Sequence, residues 1–198
     1  MTSSTPDIID HLVGIIPGSP LDAIRAARQQ ARDNAQASYL ALFETTETEN
    51  VSLVERFAVA CFVAGLHGQD KELAFYASKL EAMAPGLPAV IAAEVALGRA
   101  HGPAGHYPDG PLSVENTVGA TYAAGARDKL GARLAAALEH AHMLVIRPRD
   151  ADAAALKALL DAGWSTTGIV TLSQLVSFLA FQLRVIHGLR ALSRNLAA

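Results

Sequence analysis

The chain has 198 residues, enough to bury a proper core as one domain or as two intertwined helical halves. Apolar residues make up 51 % and charged residues only 18 %, below the roughly 25 % usual for a globular domain, so the surplus apolar surface points to a subunit interface and a homo-oligomer. A net charge of -3 gives no general attraction to nucleic acid or to an anionic membrane.

Cys61 is the single cysteine, so an intrachain disulfide is excluded and a reducing cytoplasm is the natural compartment. Residues 1–7 carry neither a basic nor an apolar region and do not read as a secretory signal.

No window shows sustained strand alternation, and the pattern predicts an all-α chain. Asp7 to Ile16 reads as a short amphipathic turn or helix stopped by Pro17-Gly18. Ser19-Pro20-Leu21-Asp22 is a helix start, with a cap, a proline at the first position and a nearby acid. That helix is expected to run to about Phe43, with Arg25, Arg28 and Arg32 as a solvated stripe or a subunit contact. Glu44 to Glu49 is an acidic linker, so residues 1–50 form an extension and 51–198 one compact helical domain.

Asn50 or Ser52 caps the next helix, Leu53 to about Leu66. It is apolar nearly all round and should be the central buried helix. Gly68 breaks it, and Asp70 is a cap for a third helix that ends at Pro85-Gly86. Leu87 to Ala100 is a fourth. The Gly- and Pro-rich stretch from His101 to Asn116 is the longest loop. Arg127 to Ile146 is helical, Asp150 is expected to cap a short helix, and Ser165 or Thr166 starts a long last one. The uncharged run from Ala162 to Leu183 carries eight Ser, Thr and Gln side chains. It reads as a buried or interfacial helix and not as a membrane span. Arg184 is expected to be buried with a carboxylate partner such as Glu55.

The run Ser52-Leu53-Val54-Glu55-Arg56-Phe57-Ala58-Val59-Ala60-Cys61, continuing to Leu66-His67-Gly68, resembles the AhpD-like alkylhydroperoxidase and carboxymuconolactone decarboxylase (CMD) superfamily. The order of helix, proline turn, short helix and Ala-Gly-Trp-Ser-Thr-Thr-Gly-Ile near the C-terminus looks like its peroxidase-related members. The resemblance implies an AhpD-like helical bundle. In the peroxidase branch, a Cys-x-x-Cys pair reduces hydroperoxides with help from a Glu and a His. An ungapped comparison puts Phe57 at the Glu, Gln69 and Glu72 at the two cysteines, and Tyr76 at the His. With Cys61 as the single cysteine, a two-cysteine mechanism is excluded.

Three readings follow. The first is a family member without the dithiol, which has either lost peroxidase activity or does cofactor-free acid–base chemistry on a small organic substrate. His67, Glu72 and Tyr76 would line its pocket. The second is a non-catalytic binding or partner subunit, paired with a dithiol-containing relative. The third is a one-cysteine peroxidase through Cys61, set against its place in the most apolar helix, where a thiol is ordinarily inert. An open polar cleft at Glu72 and Tyr76 would favour an enzyme; filling by Phe57, Phe75 and Tyr76 would favour a structural or partner role. No nucleotide-loop or serine-elbow motif occurs. His140 and His142 lie two apart on a helix and cannot share a metal. His101 and His106 are weak metal candidates, so neither cofactor nor metal is expected.

Overall fold

The computed structural model describes residues 6–196. The chain is all-α: nine α-helices and two short 3₁₀ turns, with an isolated bridge between Gly105 and Thr117 as the one β feature among the described residues. Its contacts divide it into two compact units. One contains residues 6–46 and 180–196, the other 47–179. The sequence pattern treats 51–198 as a single unit. The contacts break it because the final helix runs for 31 residues, about 46 Å at 1.5 Å per residue, and its last turns belong with the N-terminal segment.

In the first unit, α1 (Ile8–Val13) is capped by Asp7, whose carboxylate accepts from the Asp10 N–H at 2.9 Å. Gly14 closes it in the left-handed region at φ 81°. The single helix expected from Pro20 to Phe43 is two: α2 (Pro20–Ala26), capped by Ser19, and α3 (Gln29–Phe43). Arg28 leaves helical geometry between them, at φ -124° and ψ 49°. Charge pairing rewards the break. Asp22 accepts from Arg32 at 3.0 Å, although ten residues of straight helix would separate them by about 15 Å. Arg25 donates to Asp10 at 2.9 Å and to Asp7 at 2.9 Å, and Arg32 also pairs with Asp10. The expected solvated stripe is therefore corrected: Arg25 is buried, Arg32 is paired, and Arg28 alone of the three is exposed. Low local dielectric makes each of these charges costly to leave alone. Toward the end of the chain, Arg190 donates to the Leu12 carbonyl at 2.7 Å.

The second unit is organised round α4 (Leu53–Leu66). Every residue from Arg56 to Gly65 is buried. Ser52 and Glu55 form a capping box: the Ser52 hydroxyl accepts from the Glu55 N–H, and the Glu55 carboxylate accepts from the Ser52 N–H at 2.8 Å. Against α4 pack α5 (Asp70–Met83), α6 (Leu87–Gly98) and α7 (Arg127–Ile146). Gly65 permits the approach of α6, since a Cβ there would lie 2.6 Å from a Val95 methyl. α8 (Ala153–Asp161) is capped by Asp152 rather than the expected Asp150. Asp150 instead accepts from His106, through both its backbone N–H and its ring, and from Arg147. α9 (Thr166–Leu196) begins with Ser165, whose hydroxyl accepts from the Gly168 N–H.

Arg133 ties this unit together. Its guanidinium donates to Glu55 at 2.6 Å, to the Gly163 carbonyl at 2.7 Å and to the Asn50 carbonyl at 2.5 Å. It also lies 4.1 Å from the centre of the Trp164 ring, and the Trp164 indole donates to the Arg133 carbonyl. The expected pairing of Arg184 with Glu55 is thus overturned. Arg133 holds that carboxylate, while Arg184 is exposed and donates to the Ala180 carbonyl one turn back on its own helix. An 18-residue window of α9 is long and apolar enough to cross a membrane, but half of it is buried within the protein. Leu172, Leu175, Leu179, Leu183 and Ile186 supply its inward stripe.

Asp10 accepts from two arginines at once, so Asp10→Ala should destabilise the first unit by about 3 kcal/mol, read as a lowered denaturant midpoint. A loss under about 0.5 kcal/mol, the range of an ordinary surface change, would show that the ion pairs are incidental.

Candidate functional site

The sequence reading directs attention first to the turn between α4 and α5. Gly68 makes that turn at φ 65°, and the N–H groups of His67, Gly68 and Gln69 close the last carbonyls of α4, those of Val63, Gly65 and Ala64. Gln69 precedes α5, makes no side-chain cap, and its amide donates to the His67 carbonyl at 3.4 Å. One turn on, Glu72 and Tyr76 share the inward face of α5, and both are fully buried.

The aromatic side chains meet there. The Phe57 and Tyr76 rings lie 6.3 Å apart between centres, and Phe75 packs edge-on against Tyr76 at 5.2 Å. Phe57 and Tyr76 stand where the resemblance places a proton-relaying Glu and His. Here those places hold two rings in packing distance, so the position is filled. Cys61 lies one turn along α4 from Phe57 and is 1 % exposed. Burial pushes its thiol up to about 12. A thiol held in its neutral form by apolar surroundings is a poor nucleophile.

His67 is half-buried, with its Nε2 shielded from solvent. It lines a cavity of about 380 Å³ between the ends of α4 and α6, together with Leu66, Gly68, Arg99, Ala100 and His101. Glu72 and Tyr76 do not line it. The three sequence candidates therefore separate: two belong to the core and one to a cleft.

A second polar cluster lies between α6, α7 and the segment that precedes α7. Glu94 is 1 % exposed. Its carboxylate accepts from the Tyr122 hydroxyl at 2.5 Å and from the N–H groups of Gly125 at 3.0 Å and Ala126 at 2.6 Å. Burial raises its pKa, but these three bonds outweigh burial and the net shift is downward. Tyr122 is pushed the other way, first by burial and then by the Glu94 charge. Its ring sits between Phe62, at 5.2 Å, and His142, at 5.1 Å and nearly parallel. His142 in turn meets the Gly98 carbonyl at 2.9 Å. With both oxygens of Glu94 engaged, this cluster is a clasp that fixes the start of α7. The sequence carried one signal of it: Glu94 is the lone charged residue in the apolar run Leu87–Gly98.

His101 and His106 do not converge on a metal. His101 lines the cleft, His106 pairs with Asp150, and no group of three metal-binding side chains occurs among the described residues. His140 and His142 are both buried, and the His140 Nδ1 has no hydrogen-bond partner among the described residues.

Burial lowers the pKa of both imidazoles from 6.5; for His142, the Gly98 bond opposes this and the Arg147 charge adds to it. The unfolded chain therefore takes up these protons at higher pH than the fold does. Their contribution is intact above about pH 6.5 and declines as the pH falls below it toward the folded values. The denaturant midpoint should drop between pH 7.5 and 5.5, and by less in His140→Leu. An equal drop in both proteins would exonerate His140.

Comparisons of the chain with protein-family models, with curated proteins and with solved structures give no match in any of the three.

Proposed function

We propose that this chain is an AhpD-like or carboxymuconolactone decarboxylase-like helical protein that works without thiol redox chemistry, as a binding or partner protein and not as a peroxidase. The observation that carries this reading is the packing of Tyr76 against Phe57 and Phe75 with no exposed surface. At that position a peroxidase would need space, a proton relay and two sulfurs. The burial and raised pKa of Cys61 support the same reading and argue against the one-cysteine alternative. Val114 and Val118, 89 % and 90 % exposed, offer apolar surface that a homo-oligomer or a complex with a dithiol-containing relative would cover.

A second reading keeps an enzyme. His67 opens onto a cleft, and an imidazole there can move a proton to or from a small bound molecule. Glu72 is buried on the inward face of α5 and does not line that cleft.

Hydroperoxide consumption by the purified protein with excess dithiol reductant, beside Cys61→Ala, tests the first reading. Neither protein should exceed the blank. Turnover that vanishes in Cys61→Ala would overturn it and make this a one-cysteine peroxidase.

A further inference from the structure

We propose that the cleft between the C-terminal ends of α4 and α6 binds the oxyanion group of a small molecule, a phosphate or a carboxylate, with Arg99 as the principal contact. This deepens the reading of the chain as a binding protein and names the ligand chemistry.

The argument begins with charge. The protein is net acidic, at -3. Yet the ionisable side chains lining this cleft are His67, Arg99 and His101, and no carboxylate is among them. The neighbouring acid in sequence, Asp70, begins α5 and does not line the cleft. Arg99 is exposed, and its guanidinium makes no ion pair or hydrogen bond with the described residues. Arg25, Arg32, Arg133 and Arg149, by contrast, are engaged by carboxylates, carbonyls or rings. A guanidinium presents a planar fork that matches the oxygens of a carboxylate or phosphate in pairs.

The backbone could have opposed this. Two helices end at the cleft, and helix C-termini carry partial negative charge that repels anions. Here part of that charge is answered from within. The Val63, Ala64 and Gly65 carbonyls of α4 accept from the N–H groups of the turn. The Gly98 carbonyl of α6 meets His142 at 2.9 Å. Arg99 brings a permanent positive charge to the cleft.

Size and lining agree. About 380 Å³ falls at the small end of the range for small-molecule sites, roughly 300–1,000 Å³. Leu66 and Ala100 give it an apolar wall for the carbon skeleton of an organic anion. Because Arg99 and His101 are exposed, a ligand reaches them from solvent without any rearrangement of the core.

The test is a pair of titrations of the full-length protein, one with inorganic phosphate and one with succinate, followed by two-dimensional amide NMR. Saturable shifts confined to the Leu66–Gly68 and Arg99–His101 amides are expected with one anion or both, and the stronger response identifies phosphoryl or carboxylate ligands. Arg99→Gln should weaken binding about tenfold, Arg99→Lys by less, and Arg28→Gln, an exposed arginine elsewhere, not at all. The exposure of Arg99 makes a folding defect easy to recognise, as lost amide dispersion. Absence of saturable shifts with both anions, or equal affinity in wild type and Arg99→Gln, would overturn the site. Peroxide turnover through Cys61 would instead overturn the functional reading and leave these titrations unaffected.

Discussion

The second unit depends on one constraint: α4 is buried on every side, from Arg56 to Gly65. A helix with no solvated face needs neighbours all round. α5, α6 and α7 are those neighbours, and full burial of each large apolar side chain contributes about 1.5–3 kcal/mol. The same constraint explains the glycine at position 65, where a methyl group would collide with Val95. It also explains why Cys61 is chemically quiet, since its thiol shares the interior with Phe57, Phe62 and Val63.

Several of the chain's few charges act as ties between segments distant in sequence. Arg133 joins the start of α4 to the turn between α8 and α9, with Trp164 beneath its guanidinium. Glu94 gathers Tyr122 and two backbone N–H groups and so determines where α7 begins. In the first unit, Asp10 draws Arg25 and Arg32 to α1 and holds α2 and α3 at an angle. Asp10, Arg25 and Glu94 are buried, and each offsets its desolvation by multiple hydrogen bonds, the condition under which a buried ion is tolerated. Arg99 stands apart from this economy, as an exposed guanidinium at the rim of a cleft.

The core also accounts for the separation of the candidate residues. Tyr76 and Glu72 face inward because α5 packs on α4, and their spacing of four residues puts them on one stripe. His67 lies at the end of α4, where the chain turns away, and so reaches the surface cavity. Neighbours in sequence are thereby divided between packing and solvent. The cleft at the α4 and α6 ends is lined by His67, Arg99 and His101, whereas Glu72 and Tyr76 lie in the core.

By itself the sequence determined the all-α class, the central place of α4, a cap for it at Asn50 or Ser52 and the exclusion of a dithiol. These follow from local periodicity, cap chemistry and the presence of a single cysteine, which need no knowledge of distant residues. Only the tertiary structure decided the break at Arg28, the partner of Glu55, the clasp at Glu94 and the cleft that unites His67 with Arg99 and His101. Those depend on residues 10 to 80 positions apart, and long side chains choose among many possible partners. Helical spacing reports which face a residue occupies; it does not report what lies opposite. That choice is made by packing, when burial forces each charge to find a counterpart or to remain in water.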